Sequence, residues 1–416
     1  MPVRRPRIFY GWWIAISFFF INFYWSGVMG SGFTAFFNPW KESFGLSSAA
    51  TSLAFSMQQG MAGVGSVIVG LLFDRIGGRA LMFLATGLGA GGLLLLAVSR
   101  SAWSFYMDFA ILSVGWTIFF AGIGPALAAI WFRKHRGKAN GVLLGGSNVG
   151  GLLAPLLVWI IDAYSWRTAS VAAAIGLVIV GIPTSMALRH KPEQYGYYPD
   201  GLDRPPPIAP ALTRGEGRDY TLAQALKTWT FWALGIGQLL AIFGLAAVSV
   251  HVLPHLEAEG MSTTAGGWIV AAYTVLGLVP KLGFGWLGDL LDKRLVLAGS
   301  YTLQGLGILA LANVESAWVL ALFIAVYGLS AQSYGSVLYP LLADEFGHRH
   351  IGAIQGMLSA PYAVGAILGP YLAGLTFDRM DEYTWIFVAF GIATIAAGPF
   401  AIASRSGPFQ RLKTKA

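Results

Sequence analysis

A lysine lies inside a long apolar segment in the second half of the sequence. Residues 267–294 read GWIVAAYTVLGLVPKLGFGWLGDLLDKR, with Lys281 directly after Pro280. Lys281 precedes Asp289 by eight residues, roughly 12 Å along a helix that rises 1.5 Å per residue. A cation at this depth costs at least ~2.5–3.5 kcal/mol on insertion scales, unless its side chain reaches the headgroups. No acidic residue lies at a comparable depth in the segment, so we interpret Lys281 as a binding group for an anionic ligand.

The residues on the same helical face as Lys281 are small or polar. Gly277, Thr274 and Tyr273 precede it by four, seven and eight positions, spacings that share one face of a helix. Pro280 cannot donate a backbone hydrogen bond and so frees a carbonyl in the preceding turn. This stripe is not typical of a face turned towards lipid, and we include Tyr273 among the candidate binding residues.

Two short clusters combine a glycine, an aspartate and basic residues in the same order. The first reads GLLFDRIGGR over 70–79, and the second reads GWLGDLLDKR over 285–294. A glycine lets two helices approach closely, and an aspartate at a helix end pairs with arginine or caps a neighbouring helix. We interpret the clusters as a gate, with a positive turn that only anchors topology as the alternative. The gate residues are Gly70, Asp74, Arg75, Arg79, Gly285, Asp289 and Arg294.

His251 lies near the predicted outer end of an apolar segment. Histidine is the side chain whose ordinary pKa lies closest to neutral pH, so His251 is the natural titrating candidate. Two interpretations stay open, a substrate or proton contact and an interfacial residue held by hydrogen bonds. We place His255 in the outer loop that follows.

Several aromatic and amide side chains fall near the middle of apolar segments. Tyrosine and glutamine need polar partners within a bilayer, whereas aromatic packing is the alternative explanation for most such residues. We predict that some of these side chains line a binding cavity. The candidates are Tyr334, Gln332, Phe119, Tyr362 and Asn148.

The composition is that of an integral membrane protein. Of 416 residues, 56% are hydrophobic and 11% are charged, against about 25% charged in soluble proteins. The mean hydropathy is +0.64. Apolar runs of roughly 20 residues recur along the chain and predict a bundle of transmembrane helices. The net charge of +8 therefore does not indicate nucleic-acid binding. The absence of cysteine excludes disulfides and thiolate sites, and without a Walker loop or catalytic triad we predict neither a cofactor nor enzymatic activity.

Twelve spans account for the apolar runs. The predicted ranges are 11–36, 48–73, 79–98, 103–131, 138–161, 168–188, 229–253, 263–288, 295–313, 317–342, 351–377 and 383–404. A polar connection divides them into two bundles of six, giving domains at 1–189 and 228–416 joined by a central loop at 190–227.

The basic residues predict how the chain crosses the membrane. Of 27 lysines and arginines, 22 lie on the side of the termini, one is Lys281, and the other four are Lys41, Arg100, Arg167 and Arg379. By the positive-inside rule we expect both termini and the central loop in the cytoplasm of a multi-pass protein of the cytoplasmic (inner) membrane.

The two halves repeat with an offset of 215 residues. Pro39 then aligns with Pro254 and Asp74 with Asp289, and the tripeptide SAW occurs at 101–103 and again at 316–318. One register held over more than a hundred residues indicates two bundles in the same orientation, related by an axis along the membrane normal. Lys281 is not repeated in the first half, because the residue aligned with it there is Ser66.

The cluster at 70–79 resembles the signature loop of the major facilitator superfamily, G-x-L-x-D-R-x-G-R-R, with Gly78 in place of one arginine. The second cluster has Leu290 where the first arginine would be. The resemblance covers nearly the whole chain and implies an all-α integral membrane fold. In that fold, twelve transmembrane helices form two six-helix bundles related by a parallel repeat, which transport by alternating access around a midplane site.

Three less specific motifs are similar to those of the bacterial monocarboxylate transporter and oxalate/formate antiporter branch. They are YGW at 10–12, NPWKESFGLS at 38–47, and the stretch from His251 through Pro254 to Ser262. In that branch an arginine binds the substrate carboxylate eight residues before the motif aspartate, a position that Lys281 occupies here. Lysine keeps the charge but not the planar fork of arginine. The oxalate carriers have a second cation in span eleven, whereas 351–377 has none, which favours a single negative charge.

These observations predict a monomeric secondary active transporter of small monocarboxylates such as lactate, pyruvate or formate. Its partners would be the organic anion, the lipid bilayer and a coupling ion, with proton symport and anion exchange both open. Two alternatives remain. One is another carrier of the superfamily, for a dicarboxylate, sugar acid or drug, and the other is a membrane sensor that transports nothing.

Overall fold

The architecture is that of a computed structural model, which describes residues 9–133, 135–189, 192–195, 197–201, 219–331, 333–347 and 349–404. Almost all the secondary structure in these ranges is helical. The apolar runs form helices because a backbone in lipid must satisfy its own hydrogen bonds.

The described residues of the first half of the chain form eight α-helices. A six-residue π-helix, Ser26–Ser31, follows the first of them. The helices are α1 (Tyr10–Trp25), α2 (Phe33–Phe44), α3 (Ser48–Val98), α4 (Ala102–Phe120), α5 (Ile123–Trp131), α6 (Arg136–Val149), α7 (Leu153–Ala163) and α8 (Trp166–Ala187).

In the part of the second half that the structure describes there are nine α-helices, of which the first is a four-residue helix inside the predicted central loop. The helices are α9 (Leu222–Ala225), α10 (Trp229–Ala258), α11 (Thr263–Leu276), α12 (Leu278–Leu290), α13 (Lys293–Ala312), α14 (Ala317–Gly328), α15 (Tyr334–Phe346), α16 (Ile351–Met380) and α17 (Thr384–Ala403).

Within the described ranges, ten helical segments are long and apolar enough to cross a membrane, and α14 is a shorter apolar helix. Spans two and three join in one helical run, α3, which bends at Gly77. Gly77 has φ 77° and ψ 163°, a conformation that is essentially limited to glycine. The turn predicted between these spans therefore lies within the cluster at 70–79.

Several predicted continuous spans are interrupted. The fourth divides into α4 and α5 at Gly122, whose φ of 88° is left-handed. The fifth divides at a short 3-10 turn, Gly150–Leu152. The eighth divides into α11 and α12 at Gly277, three residues before Pro280. These breaks expose backbone groups that a regular helix would pair within itself.

The prediction that His255 lies in an outer loop is wrong. The helix α10 continues to Ala258, beyond the predicted end at 253, and His255 is fully buried within it. Its Nε2 donates to the carbonyl of Leu311 at 2.8 Å. This contact holds the last turns of α10 against the end of α13.

The chain forms two compact units that exchange short pieces of sequence. The first contains 1–46, 57–213 and 263–271, and the second contains 47–56, 214–262 and 272–416. The start of α3 thus belongs to the second unit, and the start of α11 belongs to the first.

Aromatic rings form much of the core of the first unit. Phe119 stacks on Phe18 with centroids 5.4 Å apart and on Trp25 at 5.8 Å. Trp40 of α2 meets Phe109 of α4 edge-on, with centroids 5.8 Å apart. Such contacts contribute beyond the area that they bury, so these rings fix how α1, α2 and α4 pack.

Close backbone approach characterises the second unit. Its core joins residues of α10, α13, α15, α16 and α17. A Cβ added at Gly305 of α13 would lie 2.6 Å from the carbonyl oxygen of Gly391 on α17. Small residues allow this spacing, which favours helix association in lipid.

Candidate functional site

Lys281 lies in the first turn of α12, directly after the break at Gly277. Its side chain is half-buried. The Ser336 hydroxyl of α15 donates to the Lys281 backbone carbonyl at 2.9 Å. This bond connects the start of α12 to α15. The backbone at Lys281 is therefore positioned by both helices.

Tyr273 lies before the same break and packs against α14. Its ring meets Phe323 with centroids 5.6 Å apart and Tyr327 at 5.4 Å, both edge-on. Thr274 beside it is buried. The polar stripe predicted from the sequence thus adjoins an aromatic wall of the second unit.

Tyr334 begins α15, and its hydroxyl is hydrogen-bonded with that of Tyr362 on α16. Tyr334 also lines a small cavity, about large enough for one water molecule, together with Tyr301, Gln238 and Gln304. Two of the predicted cavity residues, Tyr334 and Tyr362, are therefore brought together. Gln332, the third on this side, lies outside the described residues.

His251 is fully buried in α10, and both ring nitrogens have partners. Nε2 lies 2.9 Å from the Pro370 carbonyl oxygen and 3.0 Å from the Ser52 hydroxyl. Nδ1 lies 3.2 Å from the Tyr383 hydroxyl. A carbonyl only accepts hydrogen bonds, so Nε2 carries the proton and Nδ1 accepts from Tyr383. These contacts join three other helical regions, and none of the partners is a predicted substrate contact.

The candidates in the first unit, Phe119 and Asn148, are both buried. Phe119 is enclosed by the rings that stack on it. Asn148 lies near the end of α6, where the Ser147 hydroxyl is 3.5 Å from its Oδ1. Both side chains therefore lie in the packed interior of the first unit.

The two charged clusters occupy helix junctions. In the first, Gly70, Asp74, Arg75 and Arg79 flank the bend of α3, and both arginines are exposed. In the second, Gly285 and Asp289 lie in α12 and Arg294 in the first turn of α13.

Arg294 forms an ion pair with Glu345 at the end of α15. Its neighbour Lys293 bonds Asp344 there at 2.8 Å. Sequence reasoning missed these two acidic partners. Their signal is an adjacent acidic pair just after span ten, on the side of the membrane where basic residues concentrate.

The sequence matches a known protein family along almost its whole length. The sequence profile of the Major Facilitator Superfamily matches residues 13–266 and 234–415. The chain belongs to this superfamily. The predicted all-α major facilitator fold is confirmed, and ten helical segments of the described ranges are long and apolar enough to cross a membrane.

Similar proteins confirm the resemblance to monocarboxylate transporters. Monocarboxylate transporter 11 of Mus musculus is 29% identical over 405 residues, which cover 93% of this chain and 86% of the relative. Monocarboxylate transporter 13 of Rattus norvegicus is 25% identical over 398 residues, covering 93% and 87%.

Solved structures share the fold. A bacterial homologue of the human lysosomal transporter Spinster, in an inward-facing and occupied conformation, has a TM-score of 0.74 at 15% identity and covers 97% of this chain and 100% of that one. The nucleoside transporter NupG has a TM-score of 0.74 at 13% identity and covers 95% and 100%. Its membership of the superfamily, together with relatives that are named transporters, makes the protein a multi-pass membrane transporter of a small molecule and not an enzyme.

Proposed function

We propose that this protein is a secondary active transporter of small monocarboxylates that works by alternating access. The observation that carries the proposal is a half-buried lysine at the interrupted span of a chain whose relatives are named monocarboxylate transporters. A lysine ammonium in a site of low polarity favours an anion over a neutral solute of the same size, because it offsets the desolvation of the carboxylate.

Lys281 binds the substrate carboxylate in this proposal. Its ammonium is a compact point charge with three donors, so it tolerates more carboxylate orientations than the fork of an arginine. Tyr334 and Tyr362 offer hydroxyl groups from the neighbouring helices, and Tyr273 contributes an aromatic surface. Phe119, Asn148 and Gln332 stay proposed contacts from the sequence.

The two charged clusters act as gates that stabilise one access state. The ion pairs of Lys293 and Arg294 with the end of α15 support this assignment in the second half. Both pairs hold α13 and α15 together. The Lys293–Asp344 pair is partly exposed and separates at modest cost, whereas the mostly buried Arg294–Glu345 pair costs more to separate. For the first cluster the support is the bend at Gly77 between spans two and three.

Coupling is either proton symport or exchange of one anion for another. His251 is the titrating candidate, since protonation of Nδ1 would remove the acceptor for the Tyr383 hydroxyl. We further propose that the domains are 1–189 and 228–416, that both termini are cytoplasmic in an inner membrane, and that the protein acts as a monomer.

The test is counterflow in vesicles reconstituted with the purified protein. Labelled lactate, pyruvate and formate are compared with oxalate, a sugar acid and a neutral sugar, each at two pH values and with or without counter-anion inside. We expect accumulation of the monocarboxylates only. Selective counterflow of oxalate or of a neutral solute would replace the proposed substrate class. No counterflow of any solute, with thermal stabilisation by a carboxylate, would indicate a sensor.

A further inference from the structure

The start of α3 is held by a carboxylate that lies 330 residues further along the chain. The backbone amide of Ser48 donates to Asp378 Oδ1 at 2.7 Å, and that of Ala49 donates to Oδ2 at 2.8 Å. Asp378 lies in the last turn of α16. Both carboxylate oxygens therefore satisfy amides that have no acceptor within their own helix, at its positive end.

A second carboxylate occupies the corresponding place in the first unit. The Thr263 hydroxyl, at the start of α11, donates to Asp162 Oδ2 at 2.6 Å. Asp162 lies in the last turn of α7. With the offset of 215 residues, Ser48 aligns with Thr263, and Asp162 falls one residue from Asp378. Each carboxylate thus holds the first turn of a span from the other half, although the two aspartates are one position apart in the repeat.

Close packing accompanies both carboxylates. A Cβ added at Gly374, one turn before Asp378, would lie 2.6 Å from the backbone of Ser48. A Cβ at Gly267, one turn after Thr263, would lie 3.1 Å from the Cα of Pro155 on α7. The glycines let each span start approach its partner helix within reach of the carboxylate.

The contact of α3 extends along a stripe of serines four residues apart. The Ser52 hydroxyl donates to the Ser48 carbonyl at 2.7 Å and accepts from His251 Nε2. One turn further, the Ser56 hydroxyl donates to the carbonyl of Ile367 on α16 at 2.6 Å. Positions 48, 52 and 56 share one helical face, whereas the aligned positions on α11 are Thr263, Gly267 and Ala271. The contact of α3 is therefore the more polar of the two.

We propose that Asp378 and Asp162 are paired outer latches, each holding the first turn of a span from the other sequence half in one access state. The inference rests on the proposed alternating-access transport. Spans two and eight release their caps when their first turns move away, and water replaces the carboxylate. A cap is weak enough for such release, since losing one shifts an equilibrium by roughly 2- to 30-fold. The serine stripe makes the Asp378 latch the stronger one.

The test uses the absence of native cysteine. Ser52 is fully buried beneath the Asp378 latch. A Ser52→Cys variant becomes reactive only when the start of α3 separates from its partners. We expect Asp378→Asn to raise the rate of labelling by a water-soluble maleimide about fivefold in purified protein. Asp381→Asn is the matched control, because Asp381 is exposed, lies three residues away and has a left-handed φ that asparagine tolerates. It should leave the rate unchanged.

A second variant removes a donor instead of the acceptor. Ser48→Pro deletes one amide that Asp378 accepts, at the first helical position, where proline is favoured. It should raise the labelling rate as Asp378→Asn does, and it keeps the test available if that variant does not fold. For the second latch, Asp162→Asn should raise labelling of an Ala271→Cys variant by a smaller factor.

Unchanged labelling in both Asp378→Asn and Ser48→Pro, with intact thermal unfolding, would overturn the latch. Labelling requires no substrate. If the labelling results refute the latch but monocarboxylate counterflow is intact, the proposed function stands. If the labelling results support the latch but no monocarboxylate counterflow occurs, the latch stands and the proposed function fails.

Discussion

Replacement of Lys281 is the most direct perturbation of the proposed binding site. Lys281→Ala removes the charge and the side chain, Lys281→Met removes only the charge, and Lys281→Arg keeps the charge with a planar head. The side chain is half-buried at a helix break, so a neutral residue there is not expected to destabilise the fold.

The size of the effect follows from the burial. Two unit charges 4 Å apart attract by ~4 kcal/mol at an effective dielectric constant near 20, and desolvation of the carboxylate offsets part of this. Hydrogen bonds to charged groups contribute ~1.5–3 kcal/mol net, which corresponds to roughly 10- to 150-fold in affinity. We expect Lys281→Ala and Lys281→Met to lose counterflow when the substrate concentration is only a few-fold above the one that half-saturates the parent protein. Lys281→Arg should retain part of it.

The assay is counterflow of labelled lactate in vesicles, with protein amount and orientation matched between variants. Lys227→Ala is the control, because Lys227 is exposed in the turn before α10 and its loss should not change the rate. Thermal unfolding in detergent establishes that each variant is folded. Full counterflow by Lys281→Ala would refute the role of this residue in binding.

Three further predictions concern the fold and the gate. Gly77→Ala should destabilise the protein by ~1–3 kcal/mol, because its φ of 77° and ψ of 163° disfavour a side chain, whereas Gly70→Ala, with open space at its Cβ, should not. Glu345→Gln should leave the mostly buried Arg294 without its charged partner. It should lower the stability by ~1–3 kcal/mol in detergent melts and change the rate of uptake, because the gate then stabilises one access state less. Gly305→Val should overpack the contact with α17 and lower the stability by ~1–3 kcal/mol. Detergent melts should show this as a lower unfolding temperature.

Much of the site could be placed from the sequence, but its partners could not. The pairing of Tyr334 with Tyr362 depends on how α15 packs against α16, which no local pattern specifies. The acidic partners of Lys293 and Arg294 lie 51 residues away and are likewise set by packing. His255 lies in α10 and not in the predicted outer loop, and its hydrogen bond to the Leu311 carbonyl on α13 is a packing contact that the local sequence does not reveal.

The sequence by itself determined the membrane class, the helical architecture, the duplication and the superfamily. Lipid leaves a backbone few alternatives to helix, so hydrophobicity alone defines the spans, and a repeat is visible without any contact. Only the tertiary structure decided where spans break, which nitrogen of His251 carries the proton, and that Asp378 caps α3. Those features require atoms that are hundreds of residues apart in the chain to lie within hydrogen-bond distance, and packing alone brings them together.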